Sequence, residues 1–420
     1  MSNLDGSNNN VDGEIKKYRT ADTDVLVLNA DGSPLAGQEL VISQTEHKFL
    51  FGTTGFEIVN ATGELAGDKK EQADRRVEKL AALFNYVTLP FYWGRFEPQK
   101  GQPMTDALMK AARWCVDHHL LVKGHPLCWH SVTADWLLPM NNSEILQAQL
   151  GRIRREVTGF RGLVDTWDVI NEAVIMPIFD KYDNGITRIC KELGRIKTIR
   201  VMFEAARAAN PTATLLLNDF DVSPAYDILV EGCLEAGIKI DVIGIQTHMH
   251  QGYWGVDKTV KVLEQFSRFN LPIHFTETTL VSGHLMPPEI VDLNDYQMTD
   301  WPSTPAGEDR QAREVVQHYK TLLAHPLVQG ITWWDLADGG WLNAPAGLIR
   351  KDASAKPAYA ELLRLVKGEW WLPPTHFRTD AEGKVRFTGF LGEYELECKG
   401  KKMPFRLDSA GAEKIEIRLG

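Results

Sequence analysis

The sequence has little of what marks disulfide-rich, membrane-spanning or nucleic-acid-binding proteins. Its five cysteines are an odd number without a close Cys-x-x-Cys pair, which argues against a disulfide framework and a zinc knuckle. The sequence has no apolar run of about 18 residues, so no membrane span is expected. The net charge of −10 would repel phosphate groups, which disfavours a nucleic-acid partner and suits an uncharged substrate.

The N-terminal segment is polar and lacks the apolar stretch of a secretion signal. We therefore expect a cytoplasmic protein, or a secreted one if a signal peptide has been removed. Residues 1–20 hold few apolar side chains that could be buried, so they predict a disordered tail. The next segment, 21–46, predicts a β hairpin, because Asp24–Asn29 and Glu39–Ser43 alternate apolar and polar residues around the turn Asp31–Pro34.

Most of the chain, residues 47–368, alternates short apolar runs with helical stretches, which is typical of parallel strands joined by crossover helices. The runs number about eight, which predicts an α/β fold of the closed (β/α)8 TIM barrel type. An open doubly wound sheet is the rival, but its glycine-rich phosphate turn is matched only weakly by FGTTGF at 51–56. The predicted strands are 49–52, 84–89, 121–129, 164–173, 213–220, 241–249, 272–280 and 328–338.

Two segments depart from this alternation. After residue 368 the pattern returns to short β segments, and we expect 369–420 to join 21–46 in one small β-sandwich, since neither piece alone buries enough surface. The connection 281–307, between the seventh strand and its helix, is unusually long. Long loops in compact domains are usually lids or binding loops, so we expect this one to border the functional site.

Polar and aromatic side chains gather where most of the strands end, on the face where barrel enzymes keep their active sites. They are His125, Trp129, His130, Asn171, Glu172, Asn218, Asp219, Gln246, His248, Glu277, Trp334, Asp338 and Trp341. Two carboxylates matter most, because a retaining glycosidase needs a proton donor and a nucleophile about 5 to 5.5 Å apart. Glu172 and Glu277 end the fourth and seventh strands and could converge. The alternative for each is a structural role, as a helix cap or in an ion pair.

Eight stretches of sequence also carry a family resemblance. They are WGRFEPQKG (93–101), VKGHPLCWH (122–130), WDVINEA (167–173), LLLNDFD (215–221), IDVIGIQTHMH (240–250), PIHFTET (272–278), ITWWDLADGGW (331–341) and KPAYAEL (356–362). In this order and spacing they resemble the family 10 glycoside hydrolases, best known as endo-1,4-β-xylanases. The resemblance covers roughly residues 45–367.

The resemblance implies a retaining hydrolase of β-1,4-linked xylan, xylo-oligosaccharides or a related β-glycoside, with Glu172 as acid/base and Glu277 as nucleophile. Asn171 is then expected to bind the sugar hydroxyl beside the anomeric carbon, and His248 to orient Glu277 in its ionised form. The residues expected to bind substrate are Trp93, His125, Trp129, Asn171, Asn218, Gln246, His248, Trp334 and Trp341.

The sequence departs from the family pattern at three places. A charged and amide-bearing stretch that grips the glycone after the second strand is replaced by TLPFYW at 88–93. Phe220 stands where the family has tyrosine, and Thr279 stands where an aspartate supports the histidine. Glycone recognition is therefore expected to differ, which leaves open an exo-acting or oligosaccharide-specific enzyme of another sugar preference.

Two further alternatives belong to other classes. A metal-dependent hydrolase is suggested by His248 and His250, but matching carboxylate and lysine ligands are not evident, so we expect no metal and no cofactor. A carbohydrate-binding barrel without turnover is the other alternative. It is disfavoured because both candidate carboxylates are present.

Overall fold

The structure is a computed structural model that describes the backbone of residues 4–419 and the side chains of residues 10–419. The described residues form two compact units. The first comprises the chain up to Leu50, Ala312–Pro326 and the chain from Pro357 onward, and the second comprises Phe51–Gln311 and Leu327–Lys356.

Eight parallel strands close into a barrel, which confirms the predicted fold class. In barrel order they are β3 (Leu50–Thr54), β4 (Tyr86–Pro90), β5 (Leu121–His125), β6 (Thr166–Asn171), β7 (Thr214–Asp219), β8 (Val242–Met249), β9 (Ile273–Leu280) and β10 (Val328–Trp333), and β10 pairs with β9. Every residue of β9 is buried. Strands covered on both faces are apolar without strict alternation, which is why the sequence showed them as short continuous runs.

The helices follow the strands as the alternation predicted. They are α2 (Phe56–Thr62), α3 (Asp68–Leu83), α4 (Trp93–Phe96), α5 (Thr105–Asp117), α6 (Asn142–Gly159), α7 (Gly185–Leu193), α8 (Arg195–Ala209), α9 (Pro224–Glu235), α10 (Gly255–Ser267), α11 (Pro305–Leu323) and α12 (Pro357–Arg364). A π-helical turn, Leu365–Glu369, follows α12. Local sequence fixes the start of two of these helices: Asn141 and Glu144 form a capping box at α6, and Ser223 caps α9 with Pro224 in the first turn.

The predicted disordered tail, residues 1–20, is wrong where the structure describes it. Leu4–Arg19 forms helix α1, and residues 1–3 lie outside the described part. Ile15 is 2% exposed, and the Arg19 guanidinium donates to the carbonyl oxygens of Leu323 and His325 at 2.8 and 2.5 Å. Burial lowers the pKa of Arg19 to about 10. The helix is therefore held by a buried isoleucine and by charge-assisted hydrogen bonds, and the number of apolar residues in the segment does not reveal the hydrogen bonds.

The strands of both termini form two sheets, as the predicted sandwich required. One sheet has the order β12-β1-β15 and the other β11-β2-β13-β14. The strands are β1 (Thr20–Leu28), β2 (Glu39–His47), β11 (Thr375–Arg378), β12 (Lys384–Phe390), β13 (Gly392–Cys398), β14 (Lys401–Leu407) and β15 (Gly411–Arg418). Val25 and Val27 of one sheet share a buried core with Ile42, Leu396 and Leu407 of the other.

The predicted hairpin of residues 21–46 is wrong, although its turn exists. The Asn29 amide donates to the Ser33 carbonyl at 2.8 Å, but β1 and β2 then belong to different sheets. Both edges of β1 are occupied, by β12 antiparallel and by β15 parallel, so β2 has no edge to pair with. The sequence also did not reveal β14, because Pro404 and two lysines disguise it. It lies at the edge of its sheet, where proline is tolerated.

Candidate active site

Glu172 and Glu277 both lie at the carboxyl end of the barrel. Glu172 is the first residue after β6 and has a φ of 59°, an unusual backbone conformation for a residue other than glycine. Its amide donates to the carbonyl oxygen of Asn218 at 2.8 Å, which ties this strained turn to the neighbouring strand β7. Glu277 lies within β9 and is 4% exposed. Backbone strain of this kind is concentrated at functional sites.

Three amide side chains connect the two carboxyl groups. Asn218 Nδ2 donates to Glu277 Oε1 at 2.9 Å and to Asn171 Oδ1 at 2.7 Å. Asn171 Nδ2 donates to Glu172 Oε1 at 3.1 Å. Gln246 Nε2 lies 3.0 Å from Asn171 Oδ1 and 3.3 Å from Glu172 Oε1. The structure therefore brings four strands, β6 to β9, into one hydrogen-bonded network around the carboxyl pair.

The two carboxyl groups have opposite pKa shifts. Burial raises the pKa of Glu172 to about 8, and the negative charges of Glu277 and Asp219 add to this. Burial alone would also raise the pKa of Glu277, but the charge of His125 and the hydrogen bond from His248 outweigh it, so that this pKa lies below its ordinary value of 4.5. At neutral pH the pair therefore holds one proton, and Glu172 carries it.

Two aromatic side chains border the Glu172 carboxyl group. Trp129 Nε1 donates to Glu172 Oε2 at 2.7 Å. His130 Nε2 lies 3.9 Å from the same oxygen, and burial lowers the pKa of His130 to about 4, so this ring is neutral at neutral pH. Nearby, burial raises the pKa of Asp219 to about 7 although the amides of Val174 and Asp221 donate to it. The surroundings of Glu172 thus hold little positive charge that would favour its ionised form.

Glu277 is bordered instead by groups that favour a negative charge. His248 Nε2 lies 3.1 Å from Glu277 Oε2, and its Nδ1 lies 3.0 Å from the hydroxyl of Thr279. That hydroxyl donates its single proton to the carbonyl oxygen of Trp334 at 2.9 Å. An ionised carboxylate only accepts hydrogen bonds, so His248 Nε2 is the donor to Glu277. Thr279 thus supports His248 in the place where the family has an aspartate.

A buried ion pair lies beneath Glu277. Asp168 Oδ2 is 2.7 Å from both Lys123 Nζ and His125 Nδ1, and all three side chains are at most 2% exposed. The other ring nitrogen of His125 lies 3.9 Å from Glu277 Oε1. Burial raises the pKa of Asp168, but the charge of Lys123 and the hydrogen bond from His125 lower it below its ordinary range. Lys123 and Asp168 were not identified from sequence, although their alternation with apolar residues along β5 and β6 points them into the barrel.

Aromatic rings enclose the carboxyl pair. The His248 ring centroid lies 4.6 Å from that of Trp341, and the His125 ring lies 5.3 Å from that of Trp334. Tyr92 contacts both His125 and Trp129, with ring centroids 5.6 and 5.8 Å apart. These rings give the site apolar faces of the kind that sugars contact through their C–H groups.

Trp93 occupies a different environment from the other predicted residues. It is 5% exposed and donates its indole N–H to Glu97 Oε2 at 3.1 Å. Its neighbour Tyr92 makes the contacts with the site, and Phe56 stacks on Tyr92 with ring centroids 6.3 Å apart. Sequence reasoning missed Tyr92 and Phe56, because a motif match selects Trp93 without showing which of two adjacent side chains faces the site.

Two more acidic side chains follow β10. Asp335, which was not predicted, accepts from the Trp341 amide at 2.9 Å and from the Thr54 hydroxyl at 3.3 Å, and burial raises its pKa. Asp338 forms an ion pair with Lys356 at 2.5 Å. Asp338 therefore organises the chain after β10, while Asp335 lies close enough to Tyr92 for its charge to raise the pKa of that phenol.

Within residues 10–419 no cluster of three histidine, cysteine or acidic side chains is arranged to hold a metal ion. Among the helices described, none is both long and apolar enough to cross a membrane.

Comparison with known proteins places this site in a family. The curated relatives include endo-1,4-beta-xylanase C of Paenibacillus barcinonensis, 26% identical over 405 residues that cover 82% of this chain and 36% of that protein. Endo-1,4-beta-xylanase A of Cellvibrio japonicus is 29% identical over 286 residues, which cover 61% of this chain and 46% of that protein. The chain thus spans less than half the length of these two relatives.

Solved structures share the fold. The structure of GH10 from Paenibacillus barcinonensis has a TM-score of 0.63 and 23% identity, and the alignment covers 76% of this chain and 94% of that one. The model of the family described as Glycosyl hydrolase family 10 matches residues 53–365, about three quarters of the chain. This protein is therefore a member of glycosyl hydrolase family 10.

Proposed function

We propose that this chain is a retaining glycoside hydrolase that cleaves β-1,4-linked xylan, xylo-oligosaccharides or a related β-glycoside by double displacement. One observation carries the proposal: two carboxyl groups joined by a shared amide network have opposite pKa shifts, Glu172 upward to about 8 and Glu277 downward. A pair with separated pKa values supplies an acid and an anion at the same pH. Family membership and relatives named endo-1,4-beta-xylanase support the choice of substrate.

In the first step Glu277 attacks the anomeric carbon and forms a covalent glycosyl ester, while Glu172 gives its proton to the departing glycosidic oxygen. In the second step the ionised Glu172 takes a proton from water, and the water oxygen displaces Glu277 from the anomeric carbon. The product keeps the β configuration, and both carboxyl groups return to their starting states.

Neighbouring side chains support these steps. Trp129 donates to Glu172 and orients its carboxyl group. His248 and Asn218 each donate to one oxygen of Glu277, which favours the anion that attacks. Asn171 uses one of its two N–H groups on Glu172, so the second can donate to the sugar hydroxyl beside the anomeric carbon.

The test uses the wild type, Glu172→Ala and Glu277→Ala on aryl β-xylosides, aryl β-glucosides and xylo-oligosaccharides, with and without azide. Glu277→Ala should lose turnover and form an α-glycosyl azide, because azide then occupies the place of the nucleophile. Glu172→Ala should keep activity on activated aryl glycosides and form a β-glycosyl azide from the covalent intermediate. Glu156→Gln is the matched control, since Glu156 is also a buried carboxyl group but lies on α6.

The same experiment decides against the proposal if none of the glycosides is cleaved by the wild type. A barrel that binds carbohydrate without turnover then becomes the better description. Full activity of Glu277→Ala without azide would rule out the nucleophile assignment specifically.

An exo-acting or oligosaccharide-specific enzyme is the second candidate. Tyr92, on which Phe56 stacks, follows the second barrel strand, where the family pattern led us to expect a charged grip on the glycone. Aromatic faces bind sugar rings but do not hold the hydroxyl groups of a second glycone unit as charged groups do. Release of single sugars from the chain end would favour this candidate, and release of internal fragments would favour an endo-acting enzyme.

A cytoplasmic place of action remains our prediction. All five cysteines are free and buried, which suits a reducing compartment. Fractionation of the native cells, followed by immunodetection, tests it.

A further inference from the structure

The segment between β9 and α11 lies at the carboxyl end of the barrel, which we call the mouth, and it shares a small apolar core with the chain that follows β10. Val281, Met286 and Trp301 of this segment are buried together with Leu342 and Ala344, which follow β10. The segment is further held by hydrogen bonds: Met286 N donates to His250 O at 3.0 Å, and Gln251 Nε2 donates to Pro287 O and Ile290 O at 2.9 and 2.8 Å. The long connection is thus fixed on the chain segments that follow β8 and β10.

One side chain ties this segment to a more distant part of the mouth. Lys181, in the connection between β6 and α7, lies 2.6 Å from Asp292 Oδ2 and 2.7 Å from Asp295 Oδ1. We call these three residues the clasp. Lys181 belongs to the connection that follows Glu172, and the two aspartates belong to the connection that follows Glu277.

The strand order shows what the clasp crosses. Strands β7 and β8 lie between β6 and β9 in the barrel, so the clasp joins two connections across the carboxyl ends of those strands. The connections that follow β7 and β8 are short, since α9 begins at Pro224 and α10 at Gly255. The clasp therefore joins two longer connections above these shorter ones, and the connection that follows β8 contacts the β9–α11 segment through His250 and Gln251.

The clasp is also linked to the carboxyl pair. Asn294, between the two aspartates of the clasp, accepts a hydrogen bond from Trp341 Nε1 at 3.1 Å. The Trp341 ring packs against His248 at 4.6 Å, and His248 contacts Glu277. A continuous set of contacts therefore runs from Lys181, through the segment that holds Asn294, to the ring of Trp341, which borders His248.

We propose that the clasp determines substrate length by admitting short β-linked oligosaccharides and chain ends in preference to the interior of a polymer. A chain that binds across both carboxyl groups and extends over the ends of β7 and β8 meets the two connections that the clasp joins. This inference rests on the proposed glycoside hydrolysis and deepens it. Lys181 and the two aspartates are specificity-determining residues, and they take no part in bond cleavage.

The side chains of the clasp are partly exposed to solvent, which explains why the clasp can open when a longer chain binds. The side chains of Lys181, Asp292 and Asp295 are 41%, 34% and 63% exposed. Exposed ion pairs are weak and are screened by salt. The clasp thus opens readily, so polymer cleavage is slowed by it but not abolished.

The test compares the ratio of kcat/KM on soluble xylan to kcat/KM on xylotriose in the wild type and in Lys181→Ala. The ratio should rise roughly two- to fivefold in the variant. The rise is small because exposed ion pairs are weak, so the two connections are already partly separated in the wild type. The double variant Asp292→Asn with Asp295→Asn should show the same rise, which guards against a folding defect particular to one substitution. In the wild type the ratio should also rise with added NaCl, and in Lys181→Ala it should not.

Arg268→Ala is the matched control. Arg268 is 43% exposed and bridges two acidic side chains, Asp227 and Glu231, at 2.7 and 3.0 Å, but both partners lie on one helix, α9, so this pair does not join the connections that follow Glu172 and Glu277. Its removal should leave the ratio unchanged. An unchanged ratio in Lys181→Ala and in the double variant overturns the inference about the clasp. If the wild type still cleaves xylotriose, the proposed function stands in that case. Absence of cleavage of both substrates by the wild type overturns both.

Discussion

Asn218 donates a hydrogen bond from Nδ2 to Oε1 of Glu277 at 2.9 Å, and its own Oδ1 accepts from the Thr276 hydroxyl at 2.5 Å. The side chain fits only because residue 244 of the neighbouring strand is glycine, since a Cβ there would lie 2.4 Å from Asn218 Oδ1. Asn218 is therefore held in one orientation, with its amide group aimed at Glu277 and Asn171.

Replacement of Asn218 by alanine should lower kcat/KM on an aryl β-xyloside by roughly 10- to 100-fold, since a hydrogen bond to a charged group contributes about 1.5 to 3 kcal/mol. Loss of this donor should also move the acidic limb of the pH–rate profile to higher pH, because the Glu277 anion loses support. Asn210→Ala is the control, because Asn210 is equally buried but precedes the same strand at its other end. Equal losses in both variants would mean that Asn218 acts through stability alone.

The rate should follow a bell-shaped pH dependence. In the proposed mechanism Glu277 is ionised and Glu172 is protonated. The rate should therefore increase with pH through a midpoint below 4.5 and fall as the pH passes about 8. The two limbs belong to the coupled pair. In Glu172→Gln, the alkaline limb should disappear for substrates with activated leaving groups. A wild-type alkaline limb near pH 5 would contradict the raised pKa of Glu172.

The raised pKa of Glu172 also predicts a pH-dependent stability effect. Between pH 4.5 and about 8 the unfolded chain releases the Glu172 proton that the folded protein keeps, so this group makes folding less favourable as the pH rises through that window. Glu172→Gln removes the effect. Its melting temperature should exceed that of the wild type by more at pH 8 than at pH 5, as calorimetry at both values can measure. A constant difference would show that burial of Glu172 has no such cost.

Thr279→Val should disturb His248 without changing side-chain shape. The substitution leaves His248 Nδ1 and the Trp334 carbonyl without their present partner, so kcat should fall roughly 5- to 50-fold and the acidic limb should move to higher pH. Thr278→Val is the matched control, because the Thr278 hydroxyl is equally buried but contacts Thr247 instead. Identical pH profiles for the two variants would exclude the positioning role of Thr279.

Ile42→Ala tests the shared core of the β-sandwich. Ile42 is fully buried between the two terminal sheets, so the truncation should reduce the free energy of unfolding of that unit by about 2 to 5 kcal/mol. Glu39→Ala, at the exposed start of the same strand, should change it by less than about 0.5 kcal/mol. Urea unfolding followed by circular dichroism measures both. Equal effects would mean that this core contributes little.

Periodicity alone predicted the barrel well, and the reason is physical. Strands such as β9 are buried on both faces and helices such as α6 carry their own caps, so each element is specified by nearby residues. The pairing of the terminal strands was harder to predict. β1 pairs with β15, whose partner residues are 390 positions away along the chain, and no local pattern records that partner.

The site shows the same division. Motif order identified Glu172, Glu277 and most of the amide and aromatic residues around them. It selected Trp93, whereas the structure gives the contacts with His125 and Trp129 to Tyr92. The Lys181 clasp could not be foreseen, because lysine and aspartate on separate loops are ordinary surface residues until the fold brings them together.

The sequence by itself determined the alternation of strands and helices and the family membership, and it singled out the two carboxylates that we propose as the catalytic pair, since all of these depend on residue type and local spacing. Only the tertiary structure decided that Glu172 holds a proton while Glu277 does not. That difference arises because burial, three shared amides and the charges of His125 and His248 act on the two groups unequally, and these groups come from strands far apart in sequence. Electrostatic environments depend on distances in space, which a linear pattern does not contain.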